Sequence, residues 1–215
     1  MAKRLLIAGK PSDLTEELIR EARTAGYEVV ATLDEDSEER PNYEGQLRWV
    51  RWRVRSPLSA RTVVLQAAGV DGAIDEALVI HTPSDSAARE PLHDLQSALL
   101  EQAVDASVKG ALFILRELLG HFERRRAGSL GLVLYQPDGA MTAPLDASTA
   151  GAFQGLAGGL FAYYRNEPVT LRGFSATEPR PAEFAGYILQ TLAEGRGEGK
   201  WNRFSARGGI FSRLR

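Results

Sequence analysis

Short apolar runs alternate with segments of helical periodicity from one end of this chain to the other. Residues 5–9 form an apolar run, and residues 12–25 follow with apolar side chains at helical spacing and Gly26 as a stop signal. This alternation constrains the fold strongly, because parallel strands need a crossover connection that is usually a helix. It predicts an α/β protein with a mostly parallel sheet and helices on both faces.

The alternation continues over all 215 residues without an internal repeat or a linker, which predicts one domain spanning residues 1–215. Further strands are predicted at residues 27–33, 47–54, 77–80, 130–135 and 169–174, with 201–206 as a possible seventh strand. Further helices are predicted through residues 63–69, at 91–126 with a break near 86–91, at 148–166 and at 181–194.

Composition argues against several classes of protein. The net charge of −2 and a pI near 6.0 argue against a dedicated nucleic-acid binder. The absence of cysteine excludes disulfides and thiolate metal sites. No apolar run approaches the roughly 20 residues that span a bilayer, and the first residues are typical of a strand, not of a signal peptide. We therefore expect a cytoplasmic protein that binds neither membranes nor nucleic acids.

The third predicted strand alternates apolar and basic side chains: Val50, Trp52 and Val54 alternate with Arg51, Arg53 and Arg55. One interpretation is a basic, aromatic surface for nucleic acid. The other is an edge strand whose outward charges prevent unwanted pairing. A sheet of order 3-2-1-4-5-6 would put this strand at the edge, and this favours the second interpretation.

Two strings of residues resemble the short-chain dehydrogenase/reductase family. The string DASTAGAFQGLAGGLF, residues 146–161, is similar to the family's active-site helix, in which Tyr-x-x-x-Lys is followed by small residues and then Gly-Leu. Gly155 and Leu156 take the Gly-Leu place. Upstream, Lys109 and Gly110 stand where the family has its Asn-x-Lys-Gly turn. The resemblance implies a Rossmann-type, doubly wound sheet of order 3-2-1-4-5-6, possibly with a seventh strand, and the ancestry of an NAD(P)-dependent oxidoreductase.

The family's four catalytic side chains are replaced in this sequence. Counted from Gly155, the position of the catalytic Tyr holds Asp146 and that of the Lys holds Ala150, while Ser107 takes the place of the Asn. The position of the Ser falls within residues 134–136, with Tyr135 as the best match. An aspartate of ordinary pKa, about 3.9, has no proton to donate near neutral pH. Catalytic residues therefore stay unassigned.

The family's glycine-rich cofactor turn is altered as well. Its pattern T-G-x-x-x-G-x-G appears here as AGKPSDLT, in which Gly9 is kept while Asp13 and Thr15 occupy the other two glycine places. Asp13 and Glu16 fit a D-x-x-E capping box. We expect this box to close the helix on its own amides and to put carboxylates where a dinucleotide would put phosphates. Lys10 would offset part of that penalty.

Any residual cofactor site would use residues at the ends of the first, second and fourth strands. The candidates are Gly9, Lys10 and Ser12 in the first turn, Asp34 after the second strand and His81 after the fourth. Asp34 matches the ribose-binding acid of NAD-preferring proteins, but it also begins a solvated acidic run. The sequence thus predicts no cofactor, or NAD(H) rather than NADP(H) if one binds.

The histidines and the small-residue helix bear on metals and partners. His81, His93 and His121 lie too far apart for metal-ligand spacing, so no metal site is predicted. The small residues of segment 148–166 would let another helix approach closely. With segment 91–126, it matches the helices that form the dimer interface in the related family, so we expect a homo-oligomer.

Three functions stay open at this point. The favoured one is a non-catalytic protein of this fold that acts by binding or assembly, with an unknown small-molecule ligand. The second is a divergent NAD(P)-dependent oxidoreductase with substituted residues such as Tyr135, Asp146 or His81. The third is an enzyme of another class that uses the same crevice.

Overall fold

A computed structural model describes residues 2–35, 47–70, 72–82, 91–137 and 143–206. The strands are β1 (Arg4–Ala8), β2 (Glu28–Asp34), β3 (Leu47–Trp52), β4 (Glu76–His81), β5 (Ser129–Tyr135), β6 (Thr170–Ala176) and β7 (Trp201–Arg203). They pair in parallel in the order β3-β2-β1-β4-β5-β6-β7. This order confirms the predicted Rossmann-type sheet and its seventh strand.

The helices cover both faces of the sheet, as predicted. They are α1 (Asp13–Thr24), α2 (Pro57–Ala68), α3 (Ser97–Val104), α4 (Gly110–Arg125), α5 (Pro144–Tyr163) and α6 (Pro181–Ala193). One core layer packs α2, α4 and α5 against the sheet, and the other packs α1 and α6. β1 and β4 are almost fully buried and apolar, as expected for central strands that are covered on both faces.

Strand β3 lies at the edge of the sheet, as the predicted strand order required, while the role of its charges in preventing pairing stays a prediction. Two basic residues at its end meet Glu35, which follows β2: Arg53 Nε lies 2.7 Å from Glu35 Oε2, and Arg51 donates to the Glu35 carbonyl at 2.6 Å. Arg48 donates to the carbonyl of Ala67 at the end of α2. The arginines thus tie the edge strand to its neighbours.

Two helix predictions need correction. The predicted helix 91–126 begins only at Ser97, and it is divided by a π-helical turn, Asp105–Lys109, between α3 and α4. Part of the predicted break near 86–91 lies outside the described residues. The predicted helix 148–166 starts four residues earlier, at Pro144, because proline fits the first turn of a helix, where its missing N–H has no intrahelical partner anyway.

Gly110 sets how closely α4 approaches the chain after β3. A Cβ at this position would lie 2.1 Å from Val54 Cγ1 and 3.2 Å from the Val54 carbonyl oxygen. The glycine therefore fixes the position of the π-helical turn beside the end of β3.

Gly110→Ala is expected to destabilise the fold by about 1–2 kcal/mol, because overpacking outweighs the better helix propensity of alanine. Urea unfolding measures the change. Gly186→Ala in α6 is the matched control, since a Cβ there meets nothing within 4 Å. The control should be neutral or stabilising. An equal effect of both substitutions would contradict the packing argument.

Candidate functional site

The turn between β1 and α1 is closed by its own side chains. Ser12 is the N-cap of α1, and its Oγ accepts a hydrogen bond from the Thr15 N–H at 3.3 Å. The Thr15 hydroxyl lies 3.0 Å from the same Oγ and donates to the Lys10 carbonyl at 2.9 Å. Thr15 is buried. A hydroxyl network therefore occupies the turn where the related family keeps bare glycine backbone.

The predicted capping box of Asp13 and Glu16 is wrong. Asp13 is the first residue of α1, and the cap is Ser12, one residue earlier. The Glu16 amide that a capping Asp13 would have taken donates to the Ser12 carbonyl at 3.0 Å, while the serine hydroxyl accepts from the Thr15 amide and contacts the Thr15 hydroxyl. Both carboxylates instead lie in the first helical turn, where the helix dipole favours negative charge.

Gly9 has a packing role that is independent of any phosphate. A Cβ on Gly9 would lie 2.9 Å from Ile80 Cβ on the neighbouring strand β4. The Thr32 hydroxyl of β2 receives the Gly9 N–H and donates to its carbonyl, both at 3.0 Å. The retained glycine is thus explained by close packing at the ends of three adjacent strands.

A narrow crevice opens at the carboxyl ends of β1, β3 and β4, where ligands of open α/β sheets usually bind. It has a volume of about 50 Å³. Its polar lining residues are Lys10, Trp52, His81, Thr82 and Ser107, and its apolar lining residues are Val54, Val79, Ile80, Ala106, Ala111 and Phe153, together with Gly9. Small-molecule sites usually measure about 300–1,000 Å³, so this crevice is small for a dinucleotide.

His81 is a buried imidazole in the wall of this crevice. Its ring stacks on Phe153 of α5 with centroids 5.3 Å apart and an interplanar angle of 19°. Burial lowers the pKa of His81 to about 4; the nearby Lys10 ammonium lowers it further, and Asp146 partly offsets both. His81 is therefore neutral at pH 7, with one ring nitrogen as donor and the other as acceptor.

The structure brings some of the predicted catalytic positions together. Ser107 lies on the π-helical turn and lines the crevice. Asp146, in the first turn of α5, is buried and close enough to His81 to act on its pKa. Ala150 is buried one turn further along the helix, where the family's catalytic helix carries a lysine.

Tyr135 and Asp34 do not belong to this group. The Tyr135 ring packs in the layer of α1 and α6, stacked 5.8 Å from Phe184, whereas Phe153 and Ala150 belong to the opposite layer. Asp34 ends β2, is exposed, and does not line the crevice.

Sequence reasoning missed Trp52 and Phe153 as lining residues. Trp52 ends β3, and the apolar alternation of that strand indicated only which face it occupies. Phe153 is one of the apolar residues of segment 148–166, and nothing local in the sequence indicates that it meets His81.

The described part of the chain shows neither a metal-binding cluster nor a helix that could span a membrane. No group of three His, Asp or Glu side chains there is arranged to hold a metal ion. None of its helices combines the length and the apolar character that crossing a bilayer requires.

Comparisons with known proteins found likeness in structure but not in sequence. No protein-family model matches the chain, and neither does any curated protein. A short-chain dehydrogenase from Leptospira borgpetersenii with bound NAD+ matches with a TM-score of 0.78 and 12% identity, over 94% of this chain and 91% of that chain. The fold is that of the short-chain dehydrogenases.

Two more solved structures share this short-chain dehydrogenase fold. An oxidoreductase of the family from Brucella ovis, in complex with partially ordered NAD, gives a TM-score of 0.75 at 13% identity over 95% of this chain and 100% of that chain. A short-chain dehydrogenase/reductase from Burkholderia multivorans, with bound NADP, gives a TM-score of 0.76 at 15% identity over 97% of this chain and 98% of that chain. At such identities the likeness establishes the fold alone.

The neutral, buried state of His81 predicts a pH dependence of stability. Its pKa is near 4 when folded and about 6.5 when unfolded, so the unfolded chain binds the proton first and stability falls as pH drops below 6.5. We expect the free energy of unfolding to fall by about 2 kcal/mol from pH 7 to pH 5 through this group. Urea titrations at both pH values measure it.

His81→Gln should remove most of that loss, although His121, whose pKa is also lowered by burial, keeps a share. His93→Gln is the control, because its side chain is 82% exposed. An unchanged pH dependence in His81→Gln would contradict the assignment.

Proposed function

We propose that this chain is a binding protein on the short-chain dehydrogenase fold that does not transfer hydride by the family's chemistry. One observation carries the proposal: the turn after β1, where the fold receives a dinucleotide's phosphates, is occupied by the Ser12–Thr15–Lys10 hydrogen bonds. A phosphate at this turn would need the amides of the first turn of α1.

The energetics of the turn disfavour a dinucleotide. The Thr15 N–H is already bonded to Ser12 Oγ, and an N-cap bond of this kind stabilises a helix by about 1 kcal/mol. The buried Thr15 side chain fills space that a glycine leaves open. The Asp13 and Glu16 carboxylates in the same turn would repel a pyrophosphate by like charge. These costs act together on one ligand.

The residues at the positions that match the family's catalytic tyrosine and lysine support the same proposal. In the related family a tyrosine donates the proton and a lysine lowers its pKa, but here the matching positions are the buried Asp146 and Ala150. Ala150 supplies no cation, so a phenol would have no electrostatic partner there. The family's proton transfer therefore has neither of its two principal groups.

A divergent oxidoreductase is the second candidate, and a specific observation favours it. His81 is neutral at pH 7 and lies in the crevice beside Asp146, as a general acid/base at the end of a strand would. Solved structures of the same fold carry NAD or NADP. Reduction of a simple ketone with NADH that was abolished by His81→Gln would establish this candidate in place of the first.

Assembly is the other part of the proposal. Gly151, Gly155 and Gly159 are exposed on the outer face of α5, where a Cβ would meet nothing within 4 Å. A neighbouring groove between α4 and α5 has Leu156 and Leu160 in its lining, and Leu112 of α4 is 44% exposed beside it. We propose that a second copy of the chain covers this face, since a flat glycine surface lets a helix approach closely.

Dinucleotide titration tests the closed turn. We expect NAD(H) and NADP(H) to give no saturable thermal shift with the native chain, whereas a ligand at 100 times its Kd would add roughly 2.7 kcal/mol. The double variant Asp13→Gly with Thr15→Gly should gain affinity, because it removes the Asp13 charge and frees the space that the Thr15 side chain fills. Glu21→Gly with Thr24→Gly, in the last turns of α1, controls for lost helix propensity. Tight binding to the native chain would refute the proposal.

Light scattering coupled to size exclusion tests the assembly. We expect the native chain to run as an oligomer and Leu112→Arg to shift it toward the monomer, because the substitution places an unpaired charge in an apolar interface. Leu65→Arg on α2 is the matched control, since Leu65 is 61% exposed and lies outside the α4–α5 face. A native monomer at micromolar concentration would refute the interface.

A further inference from the structure

The polar groups that line the crevice are mainly hydrogen-bond donors. Lys10 contributes an ammonium group, Ser107 a hydroxyl and Trp52 an indole N–H. An ammonium and an indole N–H donate only. Among the described residues, no Asp or Glu side chain lines the crevice. The lining thus offers more donors than acceptors, and such a lining favours a ligand that accepts hydrogen bonds.

Trp52 supplies a second, independent observation. Its side chain is 5% exposed, it ends β3 in the wall of the crevice, and its Nε1 is buried with no hydrogen-bond partner. A buried donor without a partner costs about 1–3 kcal/mol, and native structures rarely leave one unexplained. A bound acceptor in the crevice would explain it.

The charge and size of the crevice narrow the ligand. Lys10 is the one cation in the described lining, and His81 is neutral at pH 7. The Asp146 carboxylate lies outside the lining but close enough to act on His81, so the local charge suits a monoanion better than a phosphate dianion. The volume of about 50 Å³ holds a molecule of about three to five non-hydrogen atoms. Val54, Ala111 and Phe153 give the remaining wall an apolar character that suits a short alkyl chain.

We infer that the crevice at the ends of β1, β3 and β4 is a binding site for a short-chain monocarboxylate, held by Lys10, the Trp52 indole N–H and the Ser107 hydroxyl. The carboxylate accepts from these three donors, and its alkyl group packs beside Phe153. This inference deepens the proposed binding function and rests on it, since a bound dinucleotide would occupy the same space.

Nuclear magnetic resonance of the indole N–H groups tests the site with sodium propionate as the probe. The chain has three tryptophans, and Trp52→Phe assigns the signal by its loss. Propionate should shift the Trp52 signal in a saturable way at concentrations up to about 50 mM, which is the range expected for so small a ligand. Trp49 and Trp201 should stay unchanged. No saturable shift of the Trp52 signal would overturn the inference.

Matched variants identify the charge that binds the anion. Lys10→Met keeps the aliphatic stem and should raise the propionate Kd by about tenfold or more, because it removes a charge-assisted hydrogen bond. Lys200→Met, a lysine outside the crevice, should leave the Kd unchanged. Ser107→Ala should weaken binding by about threefold to tenfold. Equal Kd values in native chain and Lys10→Met would overturn the site.

Two parallel titrations separate this inference from the proposed function. If inorganic phosphate shifts the Trp52 signal with a lower Kd than propionate does, the assignment of the ligand as a monocarboxylate is overturned. NAD binding with a Lys10-dependent propionate shift would refute the proposed function and leave the carboxylate site standing. If propionate does not shift the Trp52 signal and NAD does not bind either, the carboxylate site is refuted and the proposed function stands.

Discussion

The hydrogen bonds among Ser12, Thr15 and Lys10 are the interactions on which the character of this site depends. They close the first turn of the sheet by satisfying an amide of α1 from within the chain. A dinucleotide-binding turn does the reverse, because it leaves that amide and the space beside it for a phosphate. The closed turn is therefore compatible with the fold, and it is the basis of the proposal that this chain does not bind a dinucleotide.

Packing around this turn explains how the fold forms without the glycine-rich motif. Gly9 is required by the closeness of Ile80 and is held by the Thr32 hydroxyl, so it would be needed whether or not a cofactor bound. Gly110 has a similar role, because it lets α4 approach Val54 and so sets the π-helical turn that carries Ser107. Both glycines are thus needed for packing, independently of any ligand that the crevice binds.

Burial gives the crevice its electrostatic character. His81 loses its charge because it is enclosed against Phe153, and Lys10 stands at the rim as a cation. A neutral imidazole, a single ammonium and a buried indole N–H are the groups on which the proposed small-anion site rests. Ala150, at the position that matches the family's lysine, contributes no second cation at the same end of the sheet.

The sequence by itself determined the order of the elements, the edge position of β3 and the differences from the motifs of the family that it resembles. Those features follow from local periodicity and from residue spacing within single elements. It misplaced the cap, since Ser12 and Asp13 are both good capping residues and only the path of the chain decides which one lies at the helix start. It also left Tyr135, Asp146 and His81 together as candidate substitutes for the family's catalytic residues.

Only the tertiary structure decided which residues belong to the site. Tyr135 faces the α1–α6 layer because successive side chains of a strand point to opposite faces, whereas Asp146 and Phe153 reach His81 from a helix more than sixty positions away in the sequence. Contacts over such separations, and the burial that lowers the pKa of His81, depend on how strands and helices pack and not on any local pattern.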